Sequence, residues 1–205
     1  MDTAFLISAF VTLFVIIDPI GLTPIFIALT PGMTAQQRRA IALRATLISA
    51  ALLFLFAFFG EQVLGFIGIS MPAFRIAGGI LLFLTALDML FERRTKRRED
   101  QAEYEDAPDP SVFPLAIPLI AGPGAIATMI LLTGQDGAGA LHLLAIHLVM
   151  ALVVLLVLAL FLLAAPLERV LGPTGINVVT RLLGMLLAAL SVQFVIDGMR
   201  DLQVI

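Results

Sequence analysis

Ile16-Ile17-Asp18-Pro19-Ile20-Gly21-Leu22-Thr23-Pro24 breaks an apolar run that otherwise extends from about Ala4 to Leu29. A run of that length suits a helix crossing a bilayer, yet its middle holds a carboxylate, two prolines and a glycine. Proline removes an amide donor and glycine frees the backbone, so this stretch predicts two half-helices meeting near Asp18. The second half of the chain repeats the device. Gly122-Pro123-Gly124 interrupts an apolar run from about Val112 to Leu132. Irregular backbone is tolerated at membrane depth only where protein buries it or it lines a cavity. The two breaks are therefore where function is sought.

The rest of the chain fits the same solvent. Of its 205 residues, 60% are hydrophobic and 13% charged, with a mean hydropathy of +1.09. A soluble domain carries roughly 45–50% apolar and about 25% charged residues. Soluble enzyme, nucleic-acid binder and secreted disulfide scaffold are disfavoured together. The absence of cysteine removes thiol chemistry and thiolate metal sites. Met1-Asp2-Thr3 is acidic and leads straight into apolar sequence, unlike the basic start of a signal peptide, so the first run reads as a retained span. Four further spans cover about 41–59, 72–91, 141–165 and 177–198. The fold expected is all-α, with six transmembrane helices of which the first and fourth are interrupted.

Lysine and arginine orient it. If both termini lie outside, all basic residues except Arg75 and Arg200 fall on the inner side. Positive residues mark the cytoplasmic face, so the charged linker 92–111, with its Arg93–Arg98 cluster, is placed in the cytoplasm.

The chain also repeats itself. Val63-Leu64-Gly65 is echoed by Val170-Leu171-Gly172, and Gly68-Ile69-Ser70 by Gly175-Ile176-Asn177. Arg75-Ile-Ala-Gly78 returns as Arg181-Leu-Leu-Gly184, and the Pro19 break as Pro123, all at offsets of roughly 105 residues. Three spans per half force the second half to insert inverted. The chain divides into a first repeat, 1–91, the linker, 92–111, and a second repeat, 112–205. Inverted repeats with broken helices at matching positions point to a transporter's binding site.

Candidate substrate-binding residues follow from the breaks: Asp18, Pro19, Gly21 and Thr23 in one half, Gly122, Pro123, Gly124 and Thr128 in the other. Asp18 lies ~21 Å along its helix from Ala4. It fits an N-cap of a new half-helix and equally a ligand or proton-coupling group, and the two roles are compatible. Close helix packing by small residues is the structural alternative for the Gly/Pro stretches. Half-helix N-termini suit an anion and freed carbonyls a cation, so a small zwitterion meets both demands; sugars and small alcohols are alternatives. Arg75 and Arg181 open spans three and six, and Asp88 and Asp197 lie near their far ends. If those spans pack antiparallel, Arg75 faces Asp197 and Arg181 faces Asp88, as paired bridges or gates; otherwise all four snorkel to the interface. His142 and His147 do not share a helix face, and no metal, cofactor or catalytic set is expected, hence no enzyme.

These residues carry a resemblance. Asp18-Pro-Ile-Gly21, Gly68-Ile-Ser-Met-Pro-Ala-Phe-Arg-Ile-Ala-Gly-Gly79, Ile117-Pro-Leu-Ile-Ala-Gly-Pro-Gly-Ala-Ile126, Arg181-Leu-Leu-Gly184 and Val192-Gln-Phe-Val-Ile-Asp-Gly198 resemble the MarC family of bacterial and archaeal membrane proteins. The resemblance implies a six-span inner-membrane protein. It also implies a secondary transporter of small neutral amino acids such as glycine and alanine, coupled to protons or cations. Many members carry Asn where this chain has Leu22, which bears on substrate choice. A passive channel or efflux-type pore, and a non-transporting scaffold, are the competing classes. The expected partners are a small-molecule substrate and the lipid bilayer, with no nucleic acid; a homo-oligomer is compatible with all of this.

Overall fold

Thr34 and Ser70 each accept a hydrogen bond from the amide three residues on, and so start two long helices. Thr34 forms a reciprocal capping box with Gln37, a device worth about 1 kcal/mol. In the computed structural model, which describes residues 3–30, 32–91, 109–134 and 139–203, the elements are all helical or helix-like. They are α1 (Thr3–Ile17), α2 (Pro19–Ala28), α3 (Ala35–Ile67), α4 (Met71–Leu90), α5 (Ser111–Ile120), α6 (Pro123–Thr133), α7 (Ala140–Leu162) and α8 (Ala164–Asp201). Among the described residues there is no strand. Five stretches are long and apolar enough to span a bilayer: Thr3–Ala28, Ala35–Ile67, Met71–Leu90, Ala140–Leu162 and Thr174–Asp201. The pair α5 and α6, bent by 54°, brings the number to six if it counts as one span. This is an all-α membrane architecture, as the composition required.

Three elements differ from the sequence expectation. Helix α3 runs well past 41–59 at both ends, because its capping box starts it at Ala35 and Gly68, at φ 83, stops it. Glycine takes that left-handed conformation without steric cost. Its early turns are fastened by Arg38, whose guanidinium donates to the Thr30 carbonyl at 3.0 and 3.2 Å. Helix α8 extends to Asp201, and its preceding turns are set off by a break at Gly172, φ 60. The largest correction is α5. The sequence reads as a helix interrupted once, at Gly122-Pro123-Gly124, but Phe113 and Ile117 are already extended. Each precedes a proline, whose ring disfavours helical geometry in the residue before it. The fourth span is thus a helical segment kinked ahead of Pro114 and Pro118, followed by one short helix. Of the linker 92–111, residues 92–108 lie outside the described residues. Asp109 pairs with Arg44 of α3 and caps Ser111 through its amide at 3.0 Å.

Packing separates an inside from an outside on each helix. In α7, Ile146, Met150, Val153, Val157 and Phe161 are buried. Leu141, Leu144, Leu148, Leu152 and Leu155 are at least half exposed, at helical spacing on the other face. Such an apolar outer stripe belongs against lipid. Inside, Phe26 of α2 stacks on Phe161 with centroids 4.4 Å apart. Helices α4 and α8 form the most extensive pairing, with glycines at the contacts: Gly79 lies on Ser191 and Val195, Gly184 on Ala86 and Met89, and Gly198 on Pro72 and Ile76. Those contacts define an antiparallel seam. Without a hydrophobic drive between helices in lipid, small residues that let backbones approach supply the adhesion.

Candidate functional site

Asp18 sits in the left-handed region, φ 55, ψ 62, which only glycine and the short polar residues visit readily. Its Oδ1 accepts a hydrogen bond from the Gly21 amide at 3.1 Å, so the side chain caps α2, whose first residue is Pro19. The N-capping role weighed from the sequence is therefore present in the geometry. A Cβ at Gly21 would collide with the Asp18 carboxylate, which accounts for glycine there. Asp18 is 1% exposed. Thr23 is fully buried and returns its hydroxyl proton to the Pro19 carbonyl at 3.0 Å, a local bond that bends and steadies the half-helix.

The second break is built differently. Gly122 is extended, and a Cβ on it would strike the Pro118 carbonyl as the chain turns into α6. Pro123 opens α6, where its missing amide costs nothing; its own ring is exposed. Gly124 is the meeting point. Its Cα hydrogen faces Ile16 Cγ2 and the Leu82 side chain so closely that a Cβ would stand 3.3 Å from each. Ile16 is two residues before Asp18, so α6 delivers the second interruption onto the first. One turn beyond Gly124, Thr128 is fully buried and its hydroxyl has no hydrogen-bond partner among the described residues. A buried hydroxyl of that kind costs about 1–3 kcal/mol unless something satisfies it.

Further along the same α1–α6 contact a cleft of about 240 Å³ opens between α1, α4, α6 and α8. Ser8 and Thr12 face it from α1, Leu131 from α6, Arg75 from α4, and Gln193 and Asp197 from α8. Gln193 donates to Asp197 Oδ1 at 2.7 Å, and Arg200 lies 3.9 Å from the same oxygen. Arg75 is ion-paired, and its partner is Asp201 rather than the Asp197 expected from the sequence. Helix geometry explains the shift. The glycine contacts place Arg75 level with Asp197, but side chains lean toward the N-terminus of their own helix. In an antiparallel pair Arg75 and Asp201 thus lean toward each other. At the opposite end, the contact of Gly184 with Ala86 and Met89 sets Gly184 level with Asp88, and Arg181 lies about one turn beyond it.

The sequence reading overlooked Ser8, Thr12, Gln193 and Asp201. A signal existed for each. Ser8 and Thr12 are polar residues one turn apart in an otherwise apolar helix, and Gln193, Asp197 and Asp201 repeat at every fourth position of α8. His142 and His147 take structural partners: Nε2 of His142 donates to the Leu132 carbonyl at 2.9 Å, and the His147 ring packs on Phe54.

A family model described as MarC family integral membrane protein matches residues 3–203. Among similar proteins, a UPF0056 membrane protein of Archaeoglobus fulgidus is 41% identical over 97% of this chain and 93% of its own. The UPF0056 membrane protein YvbG of Bacillus subtilis is 37% identical over 98% and 97%. The UPF0056 inner membrane protein YhgN of Escherichia coli is 38% identical over 95% and 96%. No solved structure matches the chain at a significant level.

Proposed function

The chain belongs to the MarC family of integral membrane proteins, and from that premise we propose that it is a secondary transporter of small neutral amino acids, coupled to protons or cations. The observation that carries this reading is the contact of Gly124 with Ile16, which joins the two helix interruptions within an otherwise apolar bundle. Proteins do not leave backbone unpaired at membrane depth without a ligand, water or side chain to meet it. The N-terminal ends of α2 and α6 offer partial positive charge to a substrate carboxylate. The Asp18 carboxylate and the Thr128 hydroxyl are the polar groups beside the breaks that an ammonium group would meet. The turn's own residues, Gly122-Pro123-Gly124-Ala125, carry no side chain larger than a proline ring, which favours a glycine- or alanine-sized substrate. Two inverted halves, 1–91 and 112–205, would then rock about this point, with Arg75 and Arg181 at opposite ends of the α4–α8 seam.

Counterflow in proteoliposomes tests the reading. Vesicles loaded with unlabelled alanine are expected to accumulate labelled alanine transiently and saturably. Unsaturable flux favours a passive pore, and the absence of flux for any small solute leaves a membrane scaffold.

The proposal places the protein in the inner membrane with both termini outside and the linker 92–111 in the cytoplasm. Reporter fusions after Asp201 are expected to be active only in the periplasm or exterior. With the N-terminus outside, a cytoplasmic C-terminus would require an odd number of spans, which two three-span halves do not allow.

A further inference from the structure

The cleft at the α1–α4–α6–α8 end is distinct from the helix breaks. Thr12, which lines it, precedes Asp18 by six residues, or ~9 Å of helix. Ile16 and Leu82 close on Gly124 in between. The cleft lies at the water-facing ends of its helices: Ser8 is in the second turn of α1, Arg75 in the second turn of α4, and Asp197 in the last turns of α8. Its lining charges balance in sign, Arg75 against Asp197, and each has an ion-pair partner beside the cleft, Asp201 and Arg200. The Arg75 side chain is 18% exposed and that of Asp201 43%, so the guanidinium is sunk into the cleft and its partner stands at the rim.

We propose that this cleft is an outer binding site for a zwitterionic α-amino acid, in which Arg75 exchanges Asp201 for the substrate carboxylate and Asp197 receives the ammonium. An ion pair with a solvent-exposed partner holds weakly. A carboxylate entering from the cleft side meets the planar fork of Arg75 with less competing water, in the bidentate geometry that guanidinium favours. Both contacts to Asp197 fall on Oδ1, and its other oxygen keeps lone pairs for a donor. The hydroxyls of Ser8 and Thr12 line the opposite wall, and Leu131 offers an apolar seat to a short side chain. At about 30 Å³ per water, the cleft holds about eight waters, ample room for a small amino acid. The proposal rests on the transport reading for its substrate class, and the experiment separates the two.

Equilibrium binding of radiolabelled alanine to the purified full chain is the test. Wild type is expected to bind alanine, with propionate and ethylamine each competing at least about tenfold more weakly, since each lacks one of the two charges. Arg75→Gln is expected to weaken binding by about thirtyfold or more. Asp201→Asn is expected to tighten it about two- to fivefold, by removing the competitor for Arg75. That tightening distinguishes the proposal from a purely structural ion pair, whose loss would leave binding equal or weaker. Alanine binding that is unchanged or weakened in Asp201→Asn overturns the outer site and leaves the transport reading standing. Propionate competing as well as alanine overturns it too. No alanine binding by wild type overturns both.

Discussion

Asp18→Asn is expected to keep the helix break intact and to lower alanine exchange by about thirtyfold or more. Asparagine tolerates the left-handed backbone that Asp18 adopts at φ 55, and its amide oxygen can accept the same bond from the Gly21 nitrogen. What it removes is the charge. Deleting the charge that meets a buried ammonium costs roughly 2–5 kcal/mol, which sets the scale of the loss. Asp18→Ala supplies the contrast. It loses the cap, about 1 kcal/mol, and leaves a residue without local polar bonding in the left-handed region, roughly 1–2 kcal/mol more. Thermal unfolding in detergent should therefore fall for Ala and not for Asn, while exchange falls for both. Exchange at the wild-type rate in Asp18→Asn would reduce the carboxylate to a cap. Gly21→Ala is the third member of the set: its methyl meets the carboxylate, so it displaces Asp18 without removing it and should lose exchange as well.

The membrane class and the two interruptions were legible in the sequence, while the antiparallel approach of Arg75 to the end of α8 stood there only as one of two readings. Composition and proline placement act locally, and their consequences do not depend on what the helix packs against. Pairing does depend on it. Arg75 found Asp201 instead of Asp197 because the tilt of side chains along two facing helices moves the partner by a turn. Residue types alone carry no record of that. The kinks within α5 were missed for another reason: Pro114 and Pro118 stand in an apolar run whose hydropathy is unaffected by them, though each bars regular helix at the residue before it. Asp201 looked like tail because α8 was ended at Gly198, which the structure uses as a close-packing residue within the helix. Thr128 was legible as a candidate, since it lies one turn after Gly124; its full burial and its unsatisfied hydroxyl came only with the packing.

The same seam yields the largest structural effect expected. A Cβ at Gly79 would lie 2.8 Å from the Ser191 carbonyl oxygen and 3.1 Å from the Val195 amide nitrogen. Both are backbone atoms of a regular helix, so the strain cannot be relieved by turning a side chain aside. Gly79→Ala is expected to destabilise by about 1–3 kcal/mol through overpacking, partly offset by the roughly 1 kcal/mol that alanine gains over glycine in a helix. Gly79→Leu has no such compensation on the scale needed and should separate α4 from α8 altogether. Gly65→Ala is the control, because nothing lies within 4 Å of its added methyl on α3; it should hold or raise stability by up to about 1 kcal/mol. Gly184 contacts the seam nine residues earlier along α8, roughly 13 Å away, so Gly184→Ala should add to Gly79→Ala within about 0.5 kcal/mol. Thermal unfolding in detergent reads all four. The seam also sets the level at which Arg75 meets Asp201, so separating the helices should abolish alanine binding along with stability. Wild-type stability in Gly79→Leu would mean that α4 and α8 do not meet through this face.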